Sequence, residues 1–108
     1  MASPTNLKHI LNEYRQRLSG ILGDDLDSVL LYGSQARREA SAGSDVDVLC
    51  IMKNSFDYGD LISRTSLATA EISLEHDIVI SRVFVTREAY ASHNSPFLMN
   101  VRKEQVAV

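Results

Sequence analysis

A chain of 108 residues has the size of one domain built on one core, and is too small for two of ordinary size. With 44% hydrophobic and 23% charged residues and two prolines, it has the make-up of a packed globular protein and not of a disordered one. A formal net charge of -3 disfavours a general nucleic-acid binder, which needs a basic surface to displace counterions, so no direct nucleic-acid contact is expected.

The N-terminal stretch carries Lys8, Glu13 and regular polar interruptions where a signal peptide would have an unbroken apolar run, and no window is apolar for the length a bilayer requires. No membrane association and a cytoplasmic location are the expectations. Pro4 followed by Leu7, Ile10, Leu11, Tyr14, Leu18, Ile21 and Leu22 predicts an amphipathic helix ending near Gly20 or Gly23. Val29-Leu30-Leu31-Tyr32, stopped by Gly33, predicts a buried strand, followed by a polar loop or short helical turn over Ser34 to Ser44. Val46 to Met52 is apolar on both alternating faces, as a central strand covered on both sides must be. Cys50, the only cysteine, reads there as a small buried core residue.

After a connection over Lys53 to Gly59, Leu61, Ile62, Thr65, Ala68 and Ile72 recur at helical spacing and predict a second helix from about Tyr58 to Leu74. Asp77 to Val85, rich in valine and isoleucine, predicts a third strand, Thr86 to Ala89 a capped short helix, and Pro96 the opening of a final helical segment through about Glu104. The order of elements gives an α/β (α+β) fold, a single domain over residues 1–108 with a small mixed sheet flanked by helices.

The chemistry-bearing stretch is Leu31 to Arg38 followed by Ser44 to Leu49. Side chains two apart on a strand share a face, so Asp45 and Asp47 present two carboxylates side by side at a strand's beginning. Asp77 supplies a third acid at the start of another predicted strand, and all three converge if the two strands are neighbours. Carboxylates held ~4 Å apart repel by about 1 to 4 kcal/mol, which a cation or a proton relieves. Magnesium takes one or two protein carboxylates together with substrate phosphates, and a pair of such ions clamps the attacking and leaving oxygens of an in-line displacement. Asp77 can also act as general base if it lies within hydrogen-bond reach of the incoming hydroxyl. Gly33 lets the backbone approach a phosphate, Ser34 donates to its oxygens, and Arg37 adds a positive fork for a triphosphate. Each piece alone is common; their coincidence points to phosphoryl or nucleotidyl transfer. His9, His76 and His93 are scattered and suggest no zinc site.

Gly33-Ser34, ten intervening residues, Asp45-Val46-Asp47 and the later Asp77 together resemble the signature of the polymerase-β-like nucleotidyltransferase superfamily. Over nearly the whole chain, including the ending from Pro96 to Glu104, the pattern is similar to the minimal nucleotidyltransferases, specifically the MntA-type antitoxins encoded beside HEPN toxins. The resemblance implies that Gly33, Ser34 and Arg37 form the nucleotide-binding turn and that Asp45, Asp47 and Asp77 are catalytic metal ligands. It also implies Mg2+, two ions in the usual scheme, with ATP as donor. The chain departs from the pattern at Arg38 and Gln105, where the family often has glycine.

Members resembling this chain transfer AMP from ATP onto a tyrosine of the partner HEPN ribonuclease toxin and silence it, and that is the expected function and partner. One alternative keeps the chemistry and changes the acceptor to a small molecule, as in the aminoglycoside nucleotidyltransferases, which generally use an additional domain to hold the sugar. Another is a non-catalytic antitoxin that masks its partner sterically through apolar residues such as Phe97, Leu98 or Val101.

Overall fold

The computed structural model describes residues 4–32, 44–92, 96, 98, 99, 101 and 106–108. Helix α1 spans Pro4–Leu22, and a short 3-10 turn, Gly23–Asp25, leads into β1, Leu26–Tyr32. Then follow β2 (Ser44–Met52), α2 (Tyr58–His76), β3 (Ile78–Thr86), α3 (Arg87–Ser92) and a short β4 (Val106–Ala107). Residues 96, 98, 99 and 101 are helical.

The helices form where the periodicity places them. Leu7, Ile10, Leu11, Tyr14, Leu18 and Leu22 of α1 are all buried, at steps of three and four that keep them on one face. The helix stops at Gly23, whose φ of 61° is a left-handed conformation that glycine adopts without steric cost. Asp57 caps α2, its Oδ1 accepting from the Asp60 amide at 3.0 Å, and Leu61, Thr65, Ala68, Thr69 and Ile72 form the buried face. Thr86 Oγ1 accepts from the Ala89 amide at 3.1 Å and starts α3 in the same way.

The strands make one mixed four-stranded sheet in the order β3-β2-β1-β4. β1 runs antiparallel to β2, with Tyr32 opposite Asp47 and Leu30 opposite Leu49. β2 and β3 run parallel and in register from Ser44↔Ile78 to Met52↔Thr86. Parallel neighbours require a long crossover, and α2 is that crossover.

β1 starts at Leu26, three residues before the apolar run, because Leu26 and Ser28 pair with Met52 and Ile51 across an irregularity in register. β4, which pairs antiparallel with β1, escaped the sequence reading: a strand of two residues has no periodicity to detect.

Two apolar clusters sit on opposite faces of the sheet. On one face α1 and α2 pack on Val29, Leu31, Val46, Val48, Cys50, Met52, Ile78, Ile80 and Phe84. On the other, Leu30, Leu49 and Ile51 meet Leu98 and Val101, with Tyr32, Val83, Val85 and Tyr90 partly buried around them. β2 is thus covered on both sides, as expected. Leu98 and Val101 belong to this second core and do not offer an exposed docking surface; Phe97 lies outside the described residues. Burial pushes the Cys50 thiol up to about 12, so it stays a neutral packing group.

A polar seam runs through the helix-facing core. Tyr14 OH donates to Thr69 Oγ1 at 2.7 Å, Thr69 Oγ1 donates to the Thr65 carbonyl at 2.8 Å, and Thr65 Oγ1 accepts from Arg82 Nε at 2.8 Å. Arg82 Nη2 also donates to the Ile62 carbonyl at 2.9 Å, which explains how β3 carries an arginine inward. Burial raises the Tyr14 phenol to about 12, and its hydrogen bond to Thr69 partly opposes that rise. Tyr14→Phe should therefore cost about 1 kcal/mol, the net worth of one buried hydrogen bond, whereas Leu18→Ala should cost about 2–5 kcal/mol through its cavity. Urea unfolding of both variants measures this; no loss on Tyr14→Phe would contradict a polar contribution from the seam.

Candidate active site

Alternation along β2 builds the acid-bearing surface. Val46, Val48, Cys50 and Met52 point toward the helices, so Asp45, Asp47, Leu49 and Ile51 share the other face. Leu49 and Ile51 are sealed by the second core, while Asp45 at the strand's open end is exposed and Asp47 half-buried. The acids therefore stand on a rigid central strand at the point where its cover ends. Register places Tyr32 of β1 and Ser81 of β3 on either side of Asp47, and Val79 beside Asp45.

The electrostatics follow from this placement. Partial burial raises the Asp47 carboxyl above the ordinary range, and the negative charge of Asp45 raises it further. Tyr32 is raised chiefly by burial and next by the charge of Asp47, which puts the phenol in the electrostatic reach of the acid pair. Neither Tyr32 nor Ser81 was singled out by the sequence reading. In the sequence Tyr32 marks only the end of an apolar run, and Ser81 acquires its place beside Asp47 only through the β2–β3 register.

Asp77 ends α2 at the same end of the sheet, immediately before Ile78, the partner of Ser44. Its φ of 52° and ψ of 51° are left-handed, and its amide donates to the Ser73 carbonyl. β2 and β3 are neighbours, but Asp77, expected as the first residue of the third strand, caps α2 instead. Among the described residues, however, the ligating oxygens of Asp45, Asp47 and Asp77 do not all lie within 4.8 Å of one another. Asp77 closes the helix one step before the strand pairing begins. Gly33, Ser34 and Arg37 lie outside the described residues. The chain enters that segment from Tyr32, level with Asp47.

The pair Asp45 and Asp47 fits a divalent cation on its own chemistry. Two hard oxygen donors share a face, and the burial and mutual repulsion that raise Asp47 are both relieved by positive charge.

Comparison with known proteins assigns the fold. The family model described as nucleotidyltransferase domain matches residues 7–97. The chain belongs to the nucleotidyltransferase domain family. A relative from Methanocaldococcus jannaschii, named "Putative protein adenylyltransferase MJ0141", is 38% identical over 74 residues, covering 68% of this chain and 74% of that protein. Among solved structures, spectinomycin adenyltransferase AAD(9) from Enterococcus faecialis, with ATP and spectinomycin, superposes with a TM-score of 0.64 at 13% identity. That match covers 93% of this chain and 48% of the other. A mutant of the toxin–antitoxin pair MntA–HpeT superposes with a TM-score of 0.60 at 12% identity, covering 88% of this chain and 69% of the other. At such identities the structures establish the shared polymerase-β-like fold.

Two stability measurements test the site of this nucleotidyltransferase. Because the folded protein raises the pKa of Asp47 above its unfolded value, that group's contribution is fully present below the ordinary carboxylate range and is lost as pH rises through the folded pKa. In chelator, Asp47→Asn should remove that part of the loss and raise the neutral-pH melting temperature by up to about 4 °C, the half-exposed position limiting the effect. An unchanged or lowered melting temperature would contradict the repulsion. Asp77→Gly should stabilise the metal-free protein by about 1 kcal/mol by relieving the left-handed conformation, while Asp77→Asn should leave stability nearly unchanged. Denaturant melts of the two variants decide this.

Proposed function

We propose that this nucleotidyltransferase moves AMP from Mg-ATP onto a tyrosine hydroxyl of a partner HEPN ribonuclease toxin and thereby neutralises it. The observation that carries the reading is the pairing of Asp45 and Asp47 on one face of β2, at the open end of the sheet of a nucleotidyltransferase domain. The relative at 38% identity is named a protein adenylyltransferase, which supports a protein acceptor. The MntA–HpeT structures supply the kind of partner, a toxin. One of them carries aspartate-to-glutamate changes two residues apart, the spacing of Asp45 and Asp47, and another a tyrosine-to-alanine change.

In the proposed reaction the acceptor oxygen attacks the α-phosphorus of ATP, the bond between that phosphorus and the α–β bridging oxygen breaks, and pyrophosphate leaves. Asp45 and Asp47 would hold the magnesium, with Asp77 as third ligand. The ions, when bound, neutralise charge on the phosphates and on the leaving pyrophosphate. Asp77 takes the acceptor's proton. Gly33 and Ser34 receive the triphosphate and Arg37 pairs with it.

A second reading, transfer to a small molecule, is favoured by the likeness to spectinomycin adenyltransferase. The protein acceptor takes precedence because the relative with that name is 38% identical over 74 aligned residues, against 13% identity for the drug-modifying enzyme. Incubation with labelled ATP, Mg2+ and a purified cognate toxin separates them. Label should enter the toxin and disappear when its tyrosines are replaced, and Asp45→Asn or Asp47→Asn should cut the rate by about 100-fold or more. Label on spectinomycin-class substrates but not on the toxin would establish the second reading instead.

A further inference from the structure

At the end of α2, one residue before Asp77, the fold brings Glu13 of α1 against Glu75 and His76. His76, the last residue of α2, places Nε2 2.8 Å from Glu75 Oε1 and 3.1 Å from Glu13 Oε1 of α1. These ligating atoms all lie within 4.8 Å of one another, and no other group of three or more such side chains meets that spacing among the described residues.

A single imidazole nitrogen carries one proton or one lone pair, directed in the ring plane, so it can serve one carboxylate well but not two. A cation accepted by all three groups removes that conflict and the repulsion between the glutamates. One imidazole nitrogen and two carboxylate oxygens are donors that Zn2+ takes at about 2.0–2.2 Å, in a sphere that water completes. Donors at that radius in a tetrahedron stand roughly 3.3 Å apart, which the two nitrogen–oxygen distances reach by opening a few tenths of an ångström. Glu75 is 58% and Glu13 37% exposed, leaving room for water and a path of entry. The backbone beneath is fixed: Tyr14, next to Glu13, is fully buried and bonded to Thr69 of α2.

We propose that Glu13, Glu75 and His76 form a second divalent-cation site, distinct from the nucleotidyl-transfer acids, which binds Zn2+ and ties α1 to the end of α2. Since His76 precedes Asp77, the ion also stiffens the turn from which β3 starts. The site does not depend on the identity of the acceptor or on AMP transfer.

The test uses a protein carrying Asp45→Asn, Asp47→Asn and Asp77→Asn, so that those acids cannot hold the metal, at a pH above the ordinary histidine range. Calorimetric titration with Zn2+ should show one saturable equivalent, and saturation should raise the melting temperature. Co2+ in its place should give the visible absorption of a low-coordinate site. Glu13→Gln and Glu75→Gln, both at surface positions, should each weaken binding by about tenfold or more, and His76→Gln should abolish it. Absence of saturable Zn2+ binding, or binding that neither glutamate substitution weakens, would overturn the proposal. Melting of each variant without metal confirms its fold, and where one glutamate variant does not fold the other decides.

Discussion

The in-register parallel pairing of β2 with β3 is the constraint on which the rest of the molecule depends. Parallel strands cannot be joined by a tight turn, so the pairing requires α2 as a crossover, and α2 in turn supplies half of the helical layer that buries α1. The same register brings the start of β3 level with the start of β2, where Asp45 and Asp47 stand, and sets Asp77 at that end of the sheet. Antiparallel pairing with β1 places Tyr32, and so the entry to the Gly33 segment, beside Asp47. One strand arrangement thus positions the acids and the chain that leads into the Gly33 segment.

The site is electrostatically unfavourable before it binds anything. Asp45 and Asp47 share a face of a strand held in place by cores on both sides, so burial, and next the charge of Asp45, raises the Asp47 carboxyl. Asp77 adds backbone strain, a non-glycine residue in the left-handed region at the end of a helix. Both costs are borne by the many apolar contacts on either side of the sheet, and both fall on residues proposed to serve the chemistry. In the proposed reaction the divalent ions that accompany the nucleotide would supply the positive charge this end of the sheet lacks.

The helices were readable from the chain because burial on one face leaves a period: the buried positions of α1 are those that the three- and four-residue steps single out. The acid pair was readable for the related reason that a strand alternates, so two residues of separation fix a shared face. What sequence could not supply was long-range register. Ser81 beside Asp47, Arg82 beneath Thr65, and the union of Glu13 with His76 across 63 positions exist only after folding. Leu26 to Ser28 were missed as strand because Asp27 and Ser28 interrupt the apolar run, and Val106–Ala107 because pairing with β1, not composition, makes them a strand. The expectation that the histidines are scattered holds for the linear chain, whereas the fold brings His76 against two glutamates.

The central claim is that the Asp45–Asp47 face holds the metal-bound triphosphate. A crystal structure with Mn2+ and a non-hydrolysable ATP analogue, using the anomalous signal to locate the ion, addresses it most directly. The expected result is a manganese ion coordinated by carboxylate oxygens of Asp45 and Asp47 and by phosphate oxygens of the analogue. A nucleotide-associated ion that contacts neither aspartate would contradict the account.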